Sequence, residues 1–149
     1  MDTNGIINAI VSHALTLGRF DAVNGHEPKS APSNGLTASV WLNSIRGVQS
    51  SGLASTSARV EFNVRLQTSM LKEPQDAIDP MMMSAMDVLL TAYIGDFTLG
   101  AVARAVDVRG MDGEGLNAQA GYITQDNRTY RIIDITLPVI VNDVWTEAP

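Results

Sequence analysis

The run Tyr130–Trp145, YRIIDITLPVIVNDVW, constrains the fold more than any other part of the chain. Its odd positions Ile133, Ile135, Leu137, Val139 and Val141 are all aliphatic, whereas Tyr130, Ile132, Asp134, Thr136, Pro138 and Ile140 are mixed. A period of two puts the aliphatic set on one face of a long β-strand, and that face requires a core. Pro138 has no N–H to give a ladder, which predicts an edge position or a bulge there. The mixed face, with Tyr130, Ile132 and Ile140, suits a surface that another subunit covers, because a bare strand edge promotes aggregation in a lone monomer.

The cleanest alternation lies in SARVEFNVRLQTSM, where Val60, Phe62, Val64 and Leu66 face one way and Glu61, Asn63, Arg65 and Gln67 the other. This predicts a half-buried antiparallel strand. Before it, LTASVWLNSIRGV puts Leu36, Ala38, Val40 and Leu42 on one face, with Trp41 and Ile45 on the other. The two strands form a long hairpin across the small, polar connection Gln49–Ser57. A further strand is expected over Gly100–Arg109, a turn in GMDGEGL, and a hairpin around Gln125–Arg128 with Asp-Asn at its tip.

Two amphipathic helices frame the strands. Ile7, Ile10, Val11, Ala14 and Leu15 recur at helical spacing between a cap at Asn4 and a stop at Gly18. The second helix begins at Asp79-Pro80, with aspartate as cap, and carries the stripe Met82, Met86, Leu89, Leu90 and Tyr93 to a stop at Gly95. Of the methionine triplet, Met82 and Met83 are expected in the core and Met81 outward, against a neighbouring subunit. Phe20–Leu36, rich in Gly, Pro, Asn and Ser, is expected to be a loop. The sum is one α+β domain over residues 1–149, with an antiparallel or mixed sheet of about five strands and two main helices packed on one face.

Composition excludes several functions. The net charge is −6, and two lysines and eight arginines lie scattered without a basic run, which argues against tight binding of nucleic acid through phosphates. There is no cysteine, hence no disulfide, thiol nucleophile or thiolate metal site. No apolar run reaches the length of a membrane-spanning helix, and the N-terminus has no secretory pattern. Charged residues make up 17%, against about 25% in average proteins. That deficit fits a surface covered by other subunits, since interface cores are depleted in charge, as well as plain compositional drift.

Catalytic signals are sparse. His13 belongs to the first helix, and His26 sits beside Glu27, where an extended backbone sends adjacent side chains apart and makes a poor metal pair. No serine lies in G-x-S-x-G, and neither glycine-rich nucleotide motif occurs. Asp76 and Asp79 form a spaced carboxylate pair, but Asp79 is assigned to the helix start; Asp112 and Glu114 are too close for a twelve-residue calcium loop. No catalytic residue, cofactor or metal is assigned.

The stretches GHEPKSAPSNGLTASVWLNSI (25–45), SGLASTSARVEFNVRLQTSML (51–71), EPQDAIDPMMMSAMDVLLTAYIG (73–95) and TYRIIDITLPVIVND (129–143) together resemble the tail terminator, or tail completion, proteins of long-tailed bacteriophages, most closely those of phages of actinobacteria. They cover most of the chain in order; each is short and none is a catalytic signature. The resemblance implies a small α+β subunit of a homo-oligomeric ring, typically a hexamer, at the head-proximal end of the tail tube of the virion. Such a ring stops tube polymerisation, offers a surface for head attachment and lets DNA pass through its lumen. The implied partners are other copies of the chain, the tail-tube protein and head-completion or connector proteins, with neither membrane nor specific nucleic-acid binding. A head–tail connector, a tube subunit and, more remotely, a small-molecule-binding domain or enzyme are the alternatives. Interface candidates are His26, Glu27, Pro28, Lys29 and Pro32 in the proline-bearing loop, where stiffness limits the entropy lost on docking, and Leu53 at the hairpin tip. Met81, Tyr130, Ile132 and Ile140 complete the set, and both loops are equally compatible with plain solvated connections.

Overall fold

The computed structural model describes residues 2–27, 35–48, 55–70, 77–96, 98–99, 103–110 and 113–146. The chain runs α1 (Thr3–Thr16), β1 (Ala22–Asn24), β2 (Thr37–Val48), β3 (Ser55–Ser69), α2 (Ile78–Gly95), β4 (Ala105–Val106), β5 (Asn117–Gln125) and β6 (Arg128–Thr146). The sheet order is β1-β2-β3-β6-β4, with β5 also paired to β6. Among the described strand pairs only β1·β2 is parallel, so the α+β class with a mixed, mainly antiparallel sheet holds. Among the described residues, no helix is long and apolar enough to cross a membrane.

The β3–β6 ladder is the spine, running from Ser55 opposite Thr146 to Ser69 opposite Tyr130. Along it Val60, Phe62, Val64 and Leu66 meet Val139, Leu137, Ile135 and Ile133 on one face, and all eight are buried. Cross-strand neighbours on one face pack directly, so the two alternating patterns reinforce each other. Onto this face α1 lays Ile6, Ile10 and Ala14, and α2 lays Ile78, Met82, Ala85, Leu89 and Tyr93. Tyr93 is fully enclosed, donates its hydroxyl to the Ile10 carbonyl at 3.4 Å, and has its phenol held far above the ordinary range by burial.

Both helix starts differ from expectation. The N-cap of α1 is Asp2, whose Oδ1 accepts from the Gly5 N–H at 2.9 Å, and Asn4 lies in the first turn. Helix α2 begins before Asp79, which stands inside the first turn and takes a hydrogen bond from Arg131 Nε at 2.9 Å. A carboxylate there still complements the positive end of the helix, so the residue keeps an electrostatic role without capping. In the methionine triplet, Met83 is 60% exposed while Met81 packs partly buried against the core, reversing the expected facing of the two. The stripe runs through Ile78, Met82, Ala85 and Leu89, which sends Met83 to the opposite side.

Three strand expectations also change. Phe20–Leu36 is not wholly loop: β1 pairs parallel with Thr37–Ser39, and Asp21 clamps Leu36, its N–H donating to the Leu36 carbonyl at 2.8 Å while its carboxylate takes the Leu36 N–H at 3.0 Å. Gly100–Arg109 supplies only the two-residue β4 among its described residues. Ile45 lies on the same face as Leu42, because the β2–β3 register skips Asn43 and the bulge shifts the alternation by one. The hairpin at Asp126-Asn127 holds, with φ of 50° and 63° placing both in the left-handed region that two-residue turns require.

Pro138 is neither at an edge nor at a bulge, since β6 has neighbours on both sides. It stands where one neighbour hands over to another: β5 reaches Thr136 through Asn117, and β4 takes up at Val139 through Val106. The Pro138 carbonyl accepts from the Asp107 N–H at 2.9 Å, so the missing N–H faces this gap rather than β3. Replacing Phe62 by alanine is expected to lower stability by about 3–5 kcal/mol, read from the midpoint of urea unfolding.

Candidate functional site

The face of the sheet away from the helices carries the polar members of β3 and the mixed members of β6. At one end Arg59, opposite Ile140, is buried with its side chain 1% exposed. Its guanidinium donates to Asp107 Oδ2 at 3.3 Å, to Glu61 Oε1 and to the Glu114 carbonyl. A buried guanidinium needs this many acceptors, because an unpaired buried charge is costly. The node pins the connection between β4 and β5 over the sheet. Gly110 makes the turn at φ 74°, and a Cβ there meets the backbone of Gly113 and, at 2.7 Å, of Gly115.

Beside this node a hollow of about 370 Å³ is lined by Arg104, Ala105, Val106, Asp107, Val108, Arg109 and Ile140. Arg104 and Arg109 are exposed at its margin, while Val106 and Ile140 are buried. Asp107, the carboxylate among its described lining residues, takes a hydrogen bond from Arg59. In the middle of the same face, Arg65 makes two bonds to Asp134, at 2.7 and 3.1 Å, and lies 5.3 Å from the Trp41 ring centroid. At the far end Gln67 of β3 reaches across β6 to Gln125 of β5 at 2.8 Å, on the side where Tyr130 and Ile132 sit. A second open hollow, of about 310 Å³, lies where α1 ends against the residues after α2, with His13 Nε2 2.9 Å from Asp96 Oδ2. Among the described residues no group of three or more His, Asp or Glu is placed to hold a metal ion.

The structure separates the interface candidates. His26 and Glu27 are exposed just beyond β1, and the His26 ring bonds the Glu27 carbonyl at 3.0 Å. Pro28, Lys29, Pro32 and Leu53 lie outside the described residues. Met81 packs partly buried against the core. Tyr130, Ile132 and Ile140 are at most 8% exposed within the single chain, so the expected uncovered mixed face is corrected. Tyr130 and Ile132 lie at the end bridged by Gln67 and Gln125, and Ile140 lies beside the β4 segment anchored on Arg59.

What the sheet does present is its edges. Strand β1 covers only Thr37–Ser39 of β2; beyond it, Val40–Val48 has β3 on one side and no described strand on the other. Asn43, Ser44, Arg46 and Gly47 are exposed there, as are Leu42 at 44% and Ile45 at 38%. At the opposite margin, among the described residues, β5 pairs only with β6, and Ala118, Gln119, Ala120 and the 60% exposed Tyr122 are open to solvent. Tyr122 keeps its ring under Arg131, whose guanidinium carbon lies 4.4 Å from the ring centroid. These edges were not among the candidates drawn from sequence. The signal for β5 was NAQAGYITQ, nine residues without charge or proline, the two usual guards of a strand edge.

No family model matches the chain, and a search of curated proteins finds no relative. Gly110→Ala is expected to cost about 1–3 kcal/mol through forced left-handed backbone. Arg59→Gln, which removes the buried guanidinium that Asp107 and Glu61 share, is expected to cost about 3–5 kcal/mol. Both are read by chemical denaturation, and a loss below about 0.5 kcal/mol for Arg59→Gln would show that the node does not hold the β4–β5 connection.

Proposed function

We propose that this chain is a structural subunit of a phage tail terminator: a ring at the head-proximal end of the tail tube that stops polymerisation and receives the head. The observation that carries the ring reading is the pair of open strand edges, one at each margin of the sheet, with Leu42, Ile45 and Tyr122 exposed on them. A long edge without lysine or proline is a hazard in a protein that works alone and an asset in one that assembles. Margins on opposite sides of one subunit make head-to-tail contacts, which close into rings when the rotation between subunits permits. The low charged fraction of 17% and the four stretches resembling tail terminators point the same way. The net charge of −6 suits a channel wall along which DNA slides without being held.

The same edges suit a tube subunit, and assembly state separates the two. Electron micrographs of the purified protein are expected to show single or paired rings, and long tubes would overturn the terminator reading. Deleting the gene in its phage is expected to give overlong tails that fail to join heads. Tails of normal length with another defect would contradict the assignment.

A further inference from the structure

We propose that the open edge of β2 in one copy pairs antiparallel with the open edge of β5 in the next, so that the sheet continues from subunit to subunit. This rests on the ring reading and adds which residues make the junction. Four independent features of the two edges agree.

The first is length and chemistry. Val40–Val48 and Asn117–Gln125 each span nine residues, and the only charge in the two is Arg46. Second, the faces match. Leu42 and Ile45 stand opposite Phe62 and Val60, on the helix side of the sheet. Ala118 and Ala120 stand opposite Ile135 and Ile133, on that same side. A junction in a continuous sheet therefore sets Leu42 and Ile45 among Ala118, Ala120 and Tyr122. On the other side Ser44 meets Gly121 and Arg46 meets Gln119, so the exposed Leu42 and Ile45 share one face with Ala118, Ala120 and Tyr122 and the polar Ser44, Arg46 and Gln119 share the other.

Direction is the third. β2, β3, β6 and β5 alternate in sense, which makes β2 and β5 of one subunit antiparallel. Rotation about a ring axis leaves the axial sense of every strand unchanged, so β2 also meets the neighbour's β5 antiparallel. The fourth is stagger. The middle of the β2 edge, Ser44, is level with Pro138 through Glu61, and the middle of β5, Gly121, is level with Ile132. The offset from Ile132 to Pro138 is about 20 Å along the strands, against about 19 Å across four strands, a slope of about 45°. Closed barrels tilt their strands by about 35–45°.

Backbone geometry identifies the groups that bond. The Pro138 carbonyl faces β4, so by alternation Thr136, Asp134 and Ile132 turn their bonding groups to β5, towards Asn117, Gln119 and Gly121. Ala118, Ala120 and Tyr122 then turn N–H and C=O to the open edge. By the same alternation, Ser44 and Arg46 bond to β3, while Ile45 and Gly47 face outward. Centring the two edges on each other sets Ile45 opposite Ala120.

The test uses the absence of native cysteine. The double variant Ile45→Cys with Ala120→Cys, oxidised at equilibrium, is expected to give a ladder of covalent oligomers ending at the ring number on a non-reducing gel. Each single cysteine variant is expected to remain monomeric on that gel. Ala120→Pro, which deletes one outward N–H and spares the β5–β6 bonds, is expected to lower the assembled fraction at least tenfold by light scattering, with the circular dichroism spectrum kept. Covalent dimers from a single variant would show like edges meeting, and would overturn the proposal. Wild-type assembly with no double-cysteine ladder, or with Ala120→Pro assembling normally, would overturn it as well. A wild-type protein that stays monomeric and shows no cross-linking also sinks this junction. The tail-length phenotype of the gene deletion decides the terminator reading separately.

Discussion

The β3–β6 ladder is the constraint on which the other elements depend. Both helices rest on its one aliphatic face, β2 hangs from β3, and β4 and β5 both hang from β6. Each of these strands alternates in phase with the other, so a slip of one residue would turn Phe62 and Leu137 outward together. Such a slip exposes an entire core face. The register is thus held by the whole set of buried pairs rather than by any single bond.

From that spine the remaining geometry follows by exclusion. Because β6 is longer than either partner on its free side, two short neighbours share it, and Pro138 occupies the handover between them. The β4–β5 connection must then cross one end of the outer face, and the buried Arg59 holds it there with three acceptors. Covering that end hides Ile140 and leaves the lateral margins as the available backbone. Tyr130, Ile132 and Ile140, expected at an interface, are buried within the chain, and among the described residues the unprotected backbone lies at strand edges.

Much of the fold was legible in local pattern. Alternation in Val60–Leu66 and Ile133–Val139 identified the two central strands, the 3.6-residue stripe identified both helices, and Asp126-Asn127 identified its hairpin. Those signals depend on neighbours in sequence. Asp79-Pro80 misled because its carboxylate found Arg131 on the strand beneath the helix, a partner no local rule supplies. Ile45 was placed on the wrong face because a bulge at Asn43 is a property of the β2–β3 register. Strand β1 escaped notice because three residues carry no period, and only the Asp21–Leu36 clamp and a parallel neighbour make them a strand.

The sequence by itself determined that this is a single α+β domain with one apolar sheet face and two helices to cover it, because burial periodicity is written residue by residue. Tertiary structure alone decided which strand edges stay open, because an edge is defined by the absence of a neighbour and that depends on the order of strands across the sheet. Tyr130, Ile132 and Ile140, marked by pattern as an outward face, are closed within the chain. Val40–Val48 and Asn117–Gln125 are left instead, unremarkable as sequence, at the two margins of the sheet.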